Sequence, residues 1–329
     1  MKRILAAAAI TMGLSFSGSA SAETVLKLGL IQPPNDSIGQ AATEFARLVK
    51  ERTNGEIDIH VHHNGELGGS PQLAEGVRLG TIDIIITGTP YWSRFEPVLN
   101  VLDLPYIFDS HEHAHIVADN DIGTELLNRL RKHRVQGLAA YEIGFRNVTN
   151  SKGPIRTPED LKGMKIRVSP NKAHTLAFKL LGANPVAMSF TEVYLALQTG
   201  AVDGQENPVH IIATGRLSEV QKYLSLTQHA YSMSLIAMNL GKFDGLTKEQ
   251  QKILIDTAHE TALVQRQMNQ DKQQGYLDQL KNDGMEINGG IDPKPFQDVI
   301  KDAVWQAFVE DNKDGQAYID RILAAKPKS

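Results

Sequence analysis

Two arginines stand near predicted β-strands, where their side chains could hold a carboxylate. Arg167 lies in the strand-like run 165–168 (KIRV), where alternation turns it away from its apolar neighbours. Arg146 lies just beyond another predicted strand, residues 137–141. A guanidinium can bind a carboxylate through two parallel hydrogen bonds. The pair therefore indicates either an anion-binding cleft or structural ion pairs between arginine and aspartate.

Besides the two arginines, a polar run, DGQENP at residues 203–208, contains Asn207 and ends in a proline. Its density of hydrogen-bond donors and acceptors suggests a constrained loop that could contribute to a site. By composition alone, the run is typical of a turn.

His111 and His115 are four residues apart in a predicted helical turn, a spacing that can hold a metal ion. The sequence offers no third ligand, and His113 points away from the other two. We therefore expect a solvated helix start after Asp109 and Ser110, with no metal. Surface positions are also expected for three histidines around a strand end: His60, His62 and His63.

The composition excludes several function classes. The 329 residues include no cysteine, which excludes disulfides, a thiol nucleophile and cysteine-ligated zinc. The formal charge of −4 arises without a basic patch, so no nucleic-acid partner is expected. Hydrolase, P-loop and dinucleotide motifs are missing, so no cofactor and no catalytic residues are predicted. An exported enzyme using His229 or Glu206 as a base remains an alternative without a supporting motif.

The N-terminus is typical of an export signal. Lys2 and Arg3 precede an apolar run, residues 4–16, and the small residues ASA at 20–22 form a cleavage site. We expect a signal peptide over residues 1–22 and a mature chain that begins at Glu23. The apolar run is too short to span a bilayer, and no later run is longer. The protein is therefore expected to be periplasmic, without a membrane anchor of its own.

Hydrophobic periodicity predicts an α/β fold. Residues 25–30, 57–61 and 82–86 are strand-like, and helical segments separate them, as in a doubly wound sheet. Thr247 and Gln250 form a predicted capping box, after which a helix can run to about Asn282. Such a long helix usually bridges separate parts of a structure.

Beyond these local patterns, the sequence resembles the extracytoplasmic solute-binding proteins of tripartite ATP-independent periplasmic (TRAP) transporters. The resemblance covers nearly the whole mature chain, and the DLKG…KIR and DGQENP strings favour this family over binding proteins of ABC type. The matching runs are residues 65–68, 104–108, 144–150, 157–167, 182–185, 192–198, 202–208 and 219–224.

The resemblance implies a two-lobed periplasmic binding protein fold, with hinge strands and a long helix across both lobes. It implies lobe I over residues 23–144 plus 233–272, and lobe II over 145–232 plus 273–329. Partners would be a small organic acid and the small and large membrane permease subunits. The protein would be a monomer and not an enzyme.

The family's carboxylate-binding arginine falls on Arg167, a second cleft arginine on Arg146, and the cleft asparagine on Asn207. Gly88 and Tyr91 replace charged residues of the sialic-acid-binding members, which argues against that ligand. Residues 219–232 resemble the branch that binds sugar acids such as uronates or diketogulonate.

The predicted ligand is a monocarboxylic sugar acid such as D-glucuronate or D-galacturonate. A C4-dicarboxylate or keto acid is the alternative, since Arg167 and Arg146 could hold two carboxylates. Tyr91 and Trp92 could stack on a sugar ring or simply pack the edge of their loop. The residues expected to supply contacts from the other lobe are Asn35, Asp36, Gln72, Tyr91 and Trp92.

Overall fold

The computed structural model describes residues 23–327, so the predicted signal peptide lies outside the described residues. The strands are β1 (Thr24–Leu30), β2 (Ile57–His62), β3 (Ile84–Gly88), β4 (Val135–Asn150), β5 (Lys165–Val168), β6 (Asn184–Ala187), β7 (Gly204–Asn207), β8 (Tyr223–Asn239) and β9 (Glu286–Asn288). The helices are α1 (Ser37–Arg52), α2 (Ser70–Leu79), α3 (Thr89–Trp92), α4 (His111–Asp119), α5 (Asp121–Arg129), α6 (Lys172–Leu180), α7 (Val193–Gln198), α8 (Val209–Thr214), α9 (Leu240–Asp244), α10 (Lys248–Asn282), α11 (Lys294–Asp311) and α12 (Gly315–Ala324).

The strands form one mixed sheet in the order β2-β1-β3-β8-β4-β7-β5-β6, with β9 on β8. Parallel strands β1, β2 and β3 form one half, and parallel strands β5, β6 and β7 form the other. The antiparallel strands β4 and β8, of 16 and 17 residues, run side by side between the halves. This is the two-lobed α/β fold with connecting strands that the sequence predicted.

The long helix is also confirmed. Helix α10 has 35 residues, and Thr247 and Gln250 form both hydrogen bonds of the predicted capping box. The helix packs against β4, α1 and α8. Small buried residues, Ala258 and Ala262, allow the helix to approach its neighbours closely.

Two local expectations were wrong. Residues 137–141 are only part of β4, so Arg146 lies inside a strand and not beyond one. The run at 203–208 is not a turn, because Gly204–Asn207 forms the buried strand β7. Its polar side chains are tolerated there because they bond across the sheet, as Gln205 Nε2 does to Thr149 Oγ1 at 2.9 Å.

The division into lobes at 144/145 and 232/233 falls within β4 and β8 and stays a prediction. The C-terminal helices contact elements on both sides of that division. Helix α11 packs on α6, whereas α12 packs on α5 and on the 3₁₀ segment Pro97–Asp103. Within residues 23–327, no helix has the length and apolar character that crossing a bilayer requires.

Candidate functional site

A cavity of about 60 Å³ lies where the two halves of the sheet face each other. One side is formed by the ends of β1 and β3 and by the start of α2. The other side is formed by β5, β7 and α8. The polar residues that line it are Gln32, Ser70, Tyr91, Arg146, Arg167, Ser169, Asn207 and Thr214.

Arg167 is fully buried on β5 at this cavity. Its Nε and Nη2 donate to the carbonyl oxygen of Met188 at 3.1 and 2.8 Å, and Nη2 lies 3.4 Å from the hydroxyl oxygen of Tyr91. Its Nη1 is buried and has no hydrogen-bond partner within residues 23–327. Among the described residues, no carboxylate lies within ion-pair distance of this guanidinium. Arg167 therefore presents a positive charge that a bound anion could neutralise.

Burial also affects the ionisation of this arginine. Removal from water lowers the pKa of the Arg167 guanidinium, and the nearby Tyr91 and Glu206 only partly offset that effect. A buried cation without a counterion is costly, so a carboxylate in the cavity would recover energy lost on folding.

Arg146, on β4, differs from Arg167 because it has a carboxylate partner. It forms a buried ion pair with Glu206 of β7, through Nε to Oε2 and through Nη2 to Oε1 at 2.8 Å. Its Nη2 also donates to the Glu206 carbonyl at 2.7 Å and to Asn207 Oδ1 at 3.1 Å. Its Nη1 lies 3.4 Å from Ser232 Oγ. The structural ion-pair interpretation therefore applies to Arg146, with a glutamate as partner.

The ion pair sets the charge state of Glu206. Burial alone would raise the pKa of this carboxyl, but the guanidinium of Arg146 overcomes that effect and holds the pKa well below its usual range. Both members therefore stay charged and largely cancel each other. Arg146 contributes a polar wall to the cavity, whereas Arg167 contributes net charge.

Asn207 also lines the cavity and is held by its neighbours. Its Oδ1 accepts from Arg146, and its Nδ2 donates to Gln205 Oε1 at 2.5 Å. The structure therefore brings together Arg167, Arg146, Asn207 and Tyr91 of the predicted site residues.

Trp92 does not join them. Tyr91 lines the cavity, but the next residue in helix α3 turns into the apolar core and is fully buried there. Successive helical residues point about 100° apart, which explains why the two aromatic rings do not share a face. Of the predicted stacking pair, only Tyr91 is at the cavity.

Asn35, Asp36 and Gln72 do not line the cavity either. The buried carboxylate of Asp36 caps helix α1, accepting from Ile38 N at 2.9 Å and from Thr214 Oγ1 at 3.2 Å. Asn35 is exposed.

Several cavity residues were not anticipated, among them Ser169, Phe190 and Thr214. Ser169 stands two residues after Arg167, so strand alternation could have suggested it. The other two carry no signal of a site in the sequence.

Behind Arg146 lies a buried polar network. Asp103 Oδ1 accepts from Ser232 Oγ at 2.7 Å, and burial raises the pKa of Asp103 to about 7. His174 lies 4.0 Å from carboxylate oxygens of both Asp103 and Glu206. In the described part of the chain, neither of its ring nitrogens has a hydrogen-bond partner. Burial lowers the pKa of His174 to about 3. Behind the cavity, burial therefore favours the neutral forms of Asp103 and His174.

The histidine cluster differs from expectation. His113 does point away, since its Nε2 lies 2.7 Å from the carbonyl oxygen of Ile322. His111 and His115, however, are not simply solvated, because both contact the buried carboxylate of Glu142. A third potential ligand therefore exists. It comes from β4, so spacing within the helix could not reveal it.

Comparison with known proteins gives concordant matches. Residues 28–311 match the family described as "Bacterial extracellular solute-binding protein, family 7", called DctP. The 2,3-diketo-L-gulonate-binding periplasmic protein of Escherichia coli K12 is 40% identical over 301 residues, which cover 92% of each chain.

Solved structures agree with these sequence matches. A TRAP periplasmic solute-binding protein from Polaromonas, bound to D-erythronate, superposes with a TM-score of 0.90 at 35% identity, covering 93% of this chain and all of that one. One from Roseobacter denitrificans, bound to β-D-glucuronate, has a TM-score of 0.88 at 33% identity, covering 92% of this chain and all of that one.

Proposed function

Because the chain belongs to the DctP family of bacterial extracellular solute-binding proteins, we propose that it captures a monocarboxylic sugar acid and delivers it to a TRAP membrane permease. D-glucuronate and D-galacturonate are the ligands we favour. The family consists of substrate-binding proteins, and we propose the same non-enzymatic role here.

The observation that carries the ligand class is the difference between the two cleft arginines. Among residues 23–327, Arg167 has no carboxylate partner, whereas Arg146 is neutralised by Glu206. The cavity therefore offers one unpaired positive charge, which matches one carboxylate. A dicarboxylate would place its second negative charge beside Arg146, which is already paired with Glu206. The second carboxylate would therefore add less binding free energy than the first.

The rest of the cavity suits hydroxyl groups. Gln32, Ser70 and Thr214 carry neutral side chains that can donate or accept, and they come from different elements around the cavity. Tyr91 adds both a ring and a hydroxyl. A sugar acid could pair its carboxylate with Arg167 and its hydroxyls with these groups. The relatives named for diketogulonate, D-erythronate and β-D-glucuronate support the same class.

Ligand binding would favour closure, because its contacts lie on both sides of the cleft. A shift from 1:99 to 99:1 in favour of the closed form requires about 5.5 kcal/mol of preference for that form. A desolvated bidentate ion pair and several hydroxyl contacts can supply that amount. In this proposal, the closed form is what the periplasmic protein presents to the permease.

A thermal-shift panel tests the ligand class. Purified protein is heated with D-glucuronate, D-galacturonate, D-erythronate, succinate, malate and a keto acid. A true ligand at about 100 times its Kd should stabilise the fold by ~2.7 kcal/mol. Stabilisation by sugar acids and not by succinate or malate supports the proposal. The reverse pattern would refute the ligand class and leave the transport role in place.

A further inference from the structure

Two histidines and a glutamate converge on one point outside the cleft. His111 Nδ1 lies 2.8 Å from Glu142 Oε2, and His115 Nε2 lies 2.6 Å from the same oxygen. All three potential ligand atoms lie within 4.8 Å of one another. None of these residues lines the cleft cavity.

The group is held in position by its surroundings. Glu142 is fully buried, its Oε1 accepts from Asn269 Nδ2 at 2.6 Å, and its Oε2 accepts from the Tyr231 hydroxyl at 2.8 Å. The His111 ring packs edge-on against Phe145, with ring centroids 5.0 Å apart. Outer contacts of this kind orient metal ligands and tune their affinity.

The group is also accessible. The side chains of His111 and His115 are 32% and 19% exposed, while the carboxylate lies behind them. An ion could therefore enter from solvent, reach all three ligands and keep a water molecule in a further position.

We propose that His111, His115 and Glu142 form a binding site for a borderline divalent cation such as Zn²⁺. Two imidazoles and one carboxylate form a ligand set that zinc uses with an open fourth position. Imidazole favours cations of this kind over Mg²⁺ or Ca²⁺.

The required movement is small. Bond lengths near 2.1 Å in a tetrahedral site separate ligand atoms by about 3.4 Å. The imidazoles would thus move about 0.6–0.8 Å away from the carboxylate oxygen. Both histidines are on the first two turns of α4, where side-chain rotation can provide this shift.

The proposed site lies beside an irregularity in the connecting strand β4. Glu142 stands at an irregularity of β4, where the register with β8 shifts between Glu142 and Gly144. Gly144 has a φ of 103°, which residues with a side chain rarely adopt. A bound cation would fasten α4 to the connecting strand at this bulge.

Titration calorimetry with ZnCl₂ tests the proposal, using protein freed of its purification tag and of chelators. The wild type should bind one Zn²⁺ per chain. His111→Gln and His115→Gln should each weaken binding by at least about 100-fold. Glutamine keeps an N–H for the buried Glu142 carboxylate, so these variants are designed to fold.

His62→Gln is the matched control. His62 Nδ1 lies 3.1 Å from Glu66 Oε2, and the histidine is 30% exposed, but this pair belongs to no three-ligand group among residues 23–327. Zinc affinity should therefore be unchanged in His62→Gln. Equal weakening in the control, or wild-type affinity in both cluster variants, would overturn the proposal.

Co²⁺ supplies a readout on the wild-type protein that does not depend on any variant. Binding with two imidazoles and a carboxylate at low coordination number should give visible absorption stronger than that of aqueous Co²⁺, and Zn²⁺ should abolish it. An aqueous-like spectrum at saturation would contradict the site. Sugar-acid binding uses different residues, so failure here would leave the proposed transport function intact.

Discussion

The hydroxyl oxygen of Tyr91 lies 3.4 Å from Nη2 of Arg167. Tyr91 belongs to α3, next to β3, and Arg167 belongs to β5 in the other half of the sheet. The contact thus crosses the cleft at a guanidinium whose Nη1 is buried and has no hydrogen-bond partner among residues 23–327. It connects the two halves of the sheet at the guanidinium proposed to hold the ligand carboxylate.

Tyr91→Phe should weaken sugar-acid binding by about 2- to 10-fold, since a net hydrogen bond contributes ~0.5–1.5 kcal/mol. Calorimetry with D-glucuronate is the measurement. Tyr194→Phe is the control, because that hydroxyl contacts Glu219 on the surface, 2.6 Å away. Equal affinities for the two variants would remove Tyr91 from the binding mechanism.

Arg167→Lys should weaken binding by about 10- to 100-fold, because lysine keeps the charge but loses the planar pair of donors. The same titration measures this effect. Arg216→Lys, at an arginine that is 75% exposed, should bind like the wild type. Wild-type affinity in a folded Arg167→Lys protein would make Arg167 purely structural.

Glu206→Gln should lower the melting temperature strongly, because breaking a buried ion pair costs ~3–5 kcal/mol. The substitution would also leave the positive charge of Arg146 without its carboxylate partner. Succinate should therefore raise the melting temperature of this variant more, relative to D-glucuronate, than it does for the wild type. Thermal shift measures both effects. Glu219→Gln, in an exposed pair with Arg216, is the control. An unchanged ligand preference in Glu206→Gln would show that the Arg146–Glu206 ion pair is not what disfavours binding of a second carboxylate.

Asp103→Asn should change how stability depends on pH. Burial raises the pKa of Asp103 from 3.8 to about 7 in the folded protein. Between those values the folded state binds a proton that the unfolded state lacks, so this group's stabilising contribution falls as pH rises. The melting temperature of Asp103→Asn, relative to the wild type, should therefore increase from pH 4.5 to pH 7.5. An equal melting-temperature difference between variant and wild type at both pH values would contradict a raised pKa of Asp103 in the folded protein.

Export should remove residues 1–22. Mass spectrometry of the periplasmic protein is expected to show Glu23 as the first residue, since the ASA run at 20–22 ends the predicted signal. Periplasmic material that retains Met1 would exclude this cleavage.

Much of the fold could be predicted from the sequence because the signals are local. The capping box at Thr247 and Gln250 is encoded within four residues, and it correctly marked the start of α10. The alternation of β5 likewise turned Arg167 away from its apolar neighbours. The motifs shared with the TRAP family predicted the two lobes and the connecting strands.

Local signals failed where the partner was distant in sequence. The DGQENP run looks like a turn, yet β4 and β5 supply hydrogen bonds that make it a buried strand. The histidines of α4 lacked a third ligand until Glu142 of β4 was brought beside them.

The sequence by itself determined that two arginines of suitable type stand near the cleft. Only the tertiary structure decided which of them is free. Arg146 contacts Glu206, 60 residues away in the chain, because β4 pairs with β7. Arg167, on β5, instead contacts a backbone carbonyl and a tyrosine hydroxyl. Among residues 23–327, no carboxylate lies within ion-pair distance of Arg167. Whether a buried charge is compensated depends on which strands lie side by side, and that is a property of the folded sheet.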